Sequence, residues 1–297
     1  MTSAAQTPGA FTAEDGTIAV IVLAHNEEDR IATCLASLPR GTEGIAIHVV
    51  VNGSSDSTAQ IARNQAGVTV HEYVEGGKAR SWNRIMLDTP GVDADAYVFV
   101  DGDAQLLPGS VVALARTLRE TGANGAAGLP VNGRKAATYR REILEGDGLF
   151  GDLYALSGSF VARLRASGIR MPEDLIGDDS LIGALAKTDL GPDANWRDER
   201  VAPCAGAEFL CEPIRLRPSD LKAQAGRLRN YSLRHFQNRI ITSLMQGDGP
   251  TALPRQMASL YPEYLPRFRP RLDPLAWWFD RQALRTMHQR MDRASAA

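Results

Sequence analysis

The chain has 297 residues, 44% hydrophobic and 23% charged, the make-up of a globular protein long enough to bury a substantial core. No stretch approaches the roughly 18 uncharged apolar residues of a membrane span. Three cysteines, Cys34, Cys204 and Cys211, form neither a metal-ligand spacing nor a disulfide framework. They read as reduced core residues and point to a reducing, cytoplasmic compartment. The net charge of −2 is unevenly spread: from Pro213 onward 15 Lys and Arg stand against 6 Asp and Glu, giving +9 there and −11 in the remainder. That basic segment suits an anionic partner.

Residues 1–16 are small and polar, lack the basic start and apolar run of a signal peptide, and read as a disordered tail. Residues 17–24 are a continuous Val- and Ile-rich run, suited to a strand covered on both faces. A helix is expected over 27–38, with Ile31, Leu35 and Leu38 on one face and Pro39 as its stop. Residues 45–51 form a second strand, and Ser55 or Asp56 can cap the following helix, which ends near Gln65. A third strand spans 68–73, and Gly76-Gly77 breaks the chain before a helix over 78–87. A fourth strand, 96–100, runs straight into Asp101-Gly102-Asp103. Pro108 opens a helix to about Glu120, and a fifth strand covers 125–131.

Strand and helix thus alternate through the first 120 residues, the pattern of βαβ units in an open, mostly parallel sheet. In such sheets ligands bind beyond the carboxyl ends of the strands. The polar clusters 25–28, 52–56 and 101–103 all fall at those ends. Beyond residue 132 the pattern weakens. Residues 155–164 suit strand or helix, 178–186 a short helix opened by acids, and 195–211 one or two strands. Residues 219–245 form a long helix with a basic face, 250–274 are interrupted by prolines, and 275–291 form a final amphipathic helix. No internal repeat or long linker appears, so one compact α/β domain with a C-terminal helical extension (247–297) is expected.

Asp101 and Asp103, one residue apart at a buried strand's end, make a concentrated negative site. Magnesium or manganese takes such oxygen ligands and then neutralises a diphosphate. Gly102 would leave room for close approach of a nucleotide. An acidic turn is the plain alternative.

Four segments in this order resemble the family-2 nucleotide-sugar glycosyltransferases of the GT-A, Rossmann-like fold. They are Val22-Leu23-Ala24-His25-Asn26-Glu27-Glu28, Val50-Val51-Asn52-Gly53-Ser54-Ser55-Asp56-Ser57-Thr58, Gly77-Lys78-Ala79-Arg80-Ser81-Trp82-Asn83 and the Asp-Gly-Asp. The resemblance covers about 17–230. It implies a nucleotide-sugar donor bound by residues 17–131 and an acceptor, lipid or glycan, bound by 132–246. Ala24, Asn26, Glu27, Asn52 and Asp56 would cradle base and ribose. Lys78 would lie near the base or diphosphate. Asp101 and Gly102 would contact the donor, and Asp103, with Asp101, would hold a divalent metal. Asn52 stands where many relatives carry an acid, which leaves the base open: UDP comes first, with GDP or dTDP as alternatives.

Pro172-Glu173-Asp174-Leu175-Ile176-Gly177-Asp178-Asp179 resembles the family's acceptor-side Glu-Asp motif. This implies Asp179 as the general base of an inverting transfer and Asp178 in place of the usual Glu. The alternatives are a pair that merely charges a helix N-terminus, or Glu173-Asp174 as the functional pair. Gln224-Ala225-Gly226-Arg227-Leu228-Arg229 resembles a Q-x-x-R-W motif without its tryptophan, so Arg227 or Arg229 would hold the diphosphate. Arg267-Phe268-Arg269-Pro270-Arg271 and Trp277-Trp278-Phe279 would either sit peripherally on an anionic membrane face or pack the last helix onto the core. The histidines show no ligand spacing, though His25 lies at a strand end. Two other readings stay open: a metal-dependent sugar nucleotidyltransferase, disfavoured by the acidic loop after the first strand, and a non-catalytic nucleotide-sugar or glycan binder. Nucleic-acid binding lacks a recognisable reading motif.

Overall fold

Strand β1 (Ile18–Ala24) is wholly buried, and its side chains alternate between two cores. Ala19, Ile21 and Leu23 face one layer of helices, and Ile18, Val20, Val22 and Ala24 face the other. The computed structural model describes residue 11 and residues 16–133, 135–146, 148–211 and 218–295, without the side chains of 218–224 and 294–295. The expected tail, residues 1–16, lies almost entirely outside the described residues.

Parallel strands β2 (Ile45–Asn52) and β3 (Thr69–Tyr73) extend the sheet on one side of β1, and β4 (Ala96–Asp101) pairs with it in parallel on the other. The full order is β3-β2-β1-β4-β7-β6-β8-β5, where β5 is Ala104–Leu106, β6 Gly125–Pro130, β7 Leu153–Ser157 and β8 Val201–Cys211. Strand β7 runs antiparallel to both β4 and β6. The expected α/β sheet is present, parallel over β3-β2-β1-β4, with β7 antiparallel in its middle and β5 antiparallel to β8 at its edge. The ambiguous stretch 155–164 is both elements in turn: β7 ends at Ser157, whose hydroxyl caps helix α6 (Gly158–Ser167) by accepting from Phe160 N.

Helices α1 (Ile31–Ala36), α2 (Thr58–Arg63) and α4 (Ser110–Thr121) cover one face. Helices α3 (Lys78–Asn83), α6, α7 (Asp178–Thr188), α8 (Pro218–Gln246) and α10 (Pro274–Ser295) cover the other; α5 is Ala136–Leu144 and α9 Tyr261–Tyr264. Helix α1 begins later than its apolar pattern suggests. Residues 25–30 hydrogen-bond across to 54–58 instead, with Asn26 at φ 55°. The C-terminal segment divides the two readings of its aromatics. Phe268 is buried among Phe236 and its neighbours, whereas Trp277 and Trp278 stay 40% and 59% exposed. No helix among the described residues is long and apolar enough to cross a membrane.

Beneath the sheet's carboxyl edge, Phe99 is stacked between Trp82 and Tyr154, and Trp82 Nε1 donates to the Tyr154 hydroxyl at 3.0 Å. This stack joins α3 to β4 and β7, the elements that deliver Lys78, Asp101 and Asp152. Phe99→Ala is therefore expected to destabilise the fold by about 3–5 kcal/mol in urea unfolding. A loss below about 1 kcal/mol would show that the stack is not what joins them.

Candidate active site

The order β3-β2-β1-β4 reverses direction at β1, which opens a crevice at the carboxyl ends of β1 and β4. One rim of it is laced by short polar contacts. Asn26 N donates to Ser54 Oγ at 3.0 Å, Ser55 N donates to Asn26 Oδ1 at 2.9 Å, and Glu28 N donates to Asp56 Oδ2 at 3.1 Å. Asp56 Oδ1 accepts from Thr58 N and hydroxyl, which lowers the Asp56 pKa despite partial burial. Asn52 is 5% exposed; its Nδ2 donates to Ala24 O and its Oδ1 accepts from Gly77 N. His25 Nδ1 lies 2.7 Å from Asn52 O. The structure thus gathers Ala24, Asn26, Asn52 and Asp56, and engages their polar atoms with one another.

The carboxylates sit next to this rim. Antiparallel pairing sets Val100 opposite Leu153, so Asp152 falls beside Asp101, and Asp101 N donates to Asp152 O at 3.2 Å. Burial raises the Asp101 pKa; the Lys78 charge opposes this and the Asp152 and Asp103 charges add to it. Burial and the Asp103 charge raise Asp152 as well. Lys78 Nζ lies 2.7 Å from Asp101 Oδ1 and 3.6 Å from Asp178 Oδ2. Burial alone would lower the Lys78 pKa, but the Asp101 and Asp178 charges prevail and hold it well above its usual value. Asp103 Oδ2 is faced at 3.6 Å by both Arg30 and Arg227. Glu27 Oε2 forms an ion pair with Arg30 Nη2 at 2.6 Å.

Gly102 corrects its expected reason. A Cβ there would stand 2.9 Å from the Ala24 Cβ and 3.2 Å from Glu27 Cγ. The space is filled by the protein itself, so this glycine lets β4 close against β1 rather than leaving room for a nucleotide.

Across the crevice, α7 begins with Asp178 and Asp179, 3% and 8% exposed. Arg234 Nη2 pairs with Asp179 Oδ1 at 2.9 Å and also donates to Ser180 Oγ. Gly177, at φ 95°, makes this reach feasible, because a Cβ would sit 2.5 Å from Arg234 Nε. Asp178 Oδ2 is buried without a hydrogen-bond partner; burial raises its pKa, with Lys78 opposing and Asp179 adding. Arg227, Tyr231 and Arg234 lie at i, i+4 and i+7 on α8, one helical face, so α8 spans from Asp103 to Asp179 over about 10 Å. Arg229 points to solvent on the same helix, and the side chain of Gln224 lies outside the described residues. Lys78, Asp101, Asp152, Asp178, Asp179 and Arg234 all line one cavity of 580 Å³, with Tyr231 at its wall. The competing pair turns elsewhere: Glu173 is bound by Arg80 and Arg255, and Asp174 by Met257 N.

Asp152, Arg30, Tyr231 and Arg234 were missing from the sequence reading. The helical spacing from Arg227 could have found Tyr231 and Arg234. Asp152 depended on a strand pairing that no local pattern states.

A divalent cation fits this donor set. Among the described residues no three side chains form a ready-made metal cluster. Asp103, with Asp101 shared by Lys78, offers the one or two carboxylates with which magnesium or manganese binds when phosphate oxygens and water complete its shell. The pKa values of Glu27, Asp101 and Asp152 are raised first by burial and then by neighbouring carboxylates.

Residues 19–160 match the sequence profile of glycosyl transferase family 2. Protein RfbJ of Shigella flexneri is 42% identical over 86 residues, 29% of this chain and 64% of that relative, so the chain spans less than two-thirds of the relative's length. Among solved structures, the mannosyltransferase PcManGT from Pyrobaculum calidifontis, in complex with GDP-Man and Mn2+, superposes with a TM-score of 0.58 at 20% identity, over 95% of this chain and 76% of that one. Glucosyl-3-phosphoglycerate synthase from Mycobacterium tuberculosis, in complex with Mn2+, UDP and glucosyl-3-phosphoglycerate, gives 0.51 at 20% identity, over 83% and 88%. TarS from S. aureus, in complex with UDP-GlcNAc, gives 0.50 at 18%, over 94% and 92%. These likenesses establish the GT-A fold.

Glu27 supplies a test of the electrostatics. Burial and the Asp103 charge raise its pKa from 4.5 to about 7, with Arg30 opposing. As pH rises from 4.5 toward 7 the unfolded chain has released this proton and the folded chain still holds it, so stability falls across that window. Glu27→Gln is expected to flatten this part of the pH profile of thermal unfolding and to add on the order of 2 kcal/mol at neutral pH. An unchanged slope would contradict the assigned environment.

Proposed function

We propose that this chain, whose residues 19–160 match the profile of glycosyl transferase family 2, is an inverting glycosyltransferase. It moves a sugar from a nucleotide-sugar donor, a UDP-sugar first, to a hydroxyl of a lipid or glycan acceptor. The observation that carries the reading is the shared cavity, lined by Asp101, Lys78, Asp178 and Asp179 together with Tyr231 and Arg234 of α8.

The donor lies over the carboxyl ends of β1, β2 and β4, with its diphosphate toward Asp103, Arg227 and Lys78. A magnesium or manganese ion held by Asp103 and Asp101 would supply charge neutralisation at the diphosphate. The acceptor oxygen attacks the anomeric carbon as the bond from that carbon to the diphosphate oxygen breaks. The hydroxyl proton passes to Asp179, and the nucleoside diphosphate leaves with the electron pair. A single displacement from the opposite face inverts the anomeric configuration. Arg227 and Lys78 receive the charge that develops on the leaving group, where preorganised cations are most effective. Arg234 positions Asp179 through the 2.9 Å contact.

One observation favours a second assignment of the base. Asp178 Oδ2 has no hydrogen-bond partner, whereas Asp179 is held by Arg234. Asp178→Asn and Asp179→Asn separate the two. Asp179 as base predicts that Asp179→Asn lowers kcat by about 100-fold or more with donor binding kept, and that Asp178→Asn is milder. The reverse order transfers the role to Asp178, and near wild-type turnover in both removes the pair from the chemistry. In a nucleotide-sugar thermal-shift screen with manganese, Asp103→Ala is expected to abolish the metal-dependent part of the shift. An undiminished shift would rule out metal ligation by Asp103.

A further inference from the structure

The start of α10 leaves an apolar patch in solvent. Leu272 is 98% exposed, Leu275 60%, Trp278 59% and Trp277 40%. The core needs none of them, since α10 buries its opposite face through Asp280, Ala283 and Met287. Along the exposed face the apolar turn passes into arginines: Arg281 stands one helical turn beyond Trp277 with its guanidinium over the indole at 4.6 Å, and Arg285 follows one turn later. Residues 267–285 hold Arg267, Arg269, Arg271, Arg281 and Arg285 against Asp273 and Asp280. Both acids are engaged, Asp280 by Arg271 at 2.7 Å and Asp273 as the acceptor for Ala276 N at the helix start.

This patch adjoins the proposed acceptor end of the site. Arg271 donates to Ser232 Oγ at 3.2 Å, and the preceding residue, Tyr231, is 61% exposed and lines the cavity that holds Asp179. Arg271 thus ties the segment that carries Leu272 to the stretch of α8 that lines the cavity.

We propose that the face formed by Leu272, Leu275, Trp277 and Trp278, with Arg281 and Arg285, docks the protein on an anionic lipid surface and brings the mouth of the Asp179 cavity to that surface. The chemistry is that of an interfacial helix: indoles and leucines enter the headgroup boundary, and arginines beside them meet lipid phosphates. Charge complementarity selects the occupant, because these arginines exceed the acids around them and the acids are internally paired. The proposal deepens the function above by making the acceptor a lipid-anchored molecule, its reacting hydroxyl presented from the membrane plane. Docking itself requires neither donor nor transfer.

Flotation of the full chain with phosphatidylcholine vesicles, with and without phosphatidylglycerol, tests this. Binding to the anionic vesicles and little to the neutral ones is expected, with a decline as salt is raised. Leu272→Ser with Trp278→Ser should weaken binding about tenfold or more. Arg281→Glu with Arg285→Glu should abolish the preference for anionic lipid. Both double variants should keep the wild-type unfolding temperature and donor-induced thermal shift, since they lie outside the catalytic cavity. Equal behaviour of wild type and variants toward vesicles overturns the proposal. So does a wild-type oligomer that the Leu272/Trp278 variant converts to monomer without any vesicle binding, which would make the patch a protein interface. Absence of vesicle binding by the wild-type chain, with its donor binding intact, sinks the docking surface alone. Failure of every nucleotide sugar to bind, with vesicle binding intact, sinks the enzymatic reading instead.

Discussion

The contact between Lys78 and Asp101, at 2.7 Å, is the constraint on which the rest of the site depends. Asp101, Asp152 and Asp178 are brought together at the carboxyl end of the sheet, where burial and neighbouring carboxylates favour their neutral forms. Lys78 stands between Asp101 and Asp178 and opposes that rise at both. Its position follows from backbone geometry. Gly77, at φ 129°, turns the chain into α3, and the Asn52 amide fixes that turn by accepting from Gly77 N. The stack of Trp82, Phe99 and Tyr154 then holds α3 against β4 and β7.

The same geometry divides labour within the crevice. The β1 and β2 loops bind each other, so their polar side chains fix the shape of a rim. The strand ends and α7 present the charges. Helix α8 ties the two by one face, with Arg227 toward Asp103 and Arg234 on Asp179. Arg227 stands farther from its carboxylate, at 3.6 Å. Arg234 is closer and doubly engaged, as a positioning group should be.

Much of the first half was legible in the sequence because parallel strands buried on both faces are written as continuous apolar runs. The strands and helices through 121 fall within a few residues of their expected places, apart from α1, whose first residues prefer side-chain bonds across the loop. The three-residue β5 and the antiparallel strand β7 were not legible as such, since the pairing of β7 with β4 is a long-range choice. That is why Asp152 escaped notice while Asp101 did not. Gly102 was singled out for a ligand's sake, yet it is the Ala24 methyl group that needs its space. The basic face of α8 was visible as a pattern, but its direction became clear only once the site it faces was built. The aromatics of the last segment split between core and solvent, a division that composition could not make.

In this arrangement the strand-end carboxylates, restrained by Lys78, would hold a divalent cation together with a nucleotide diphosphate. Calorimetric titration of UDP and GDP into the wild-type chain, in manganese and in chelator, tests it most directly. One of the two is expected to bind about tenfold or more tightly with manganese present, and this gain to fade as falling pH protonates the carboxylates. Equal affinity for both nucleotides with and without the metal would contradict it.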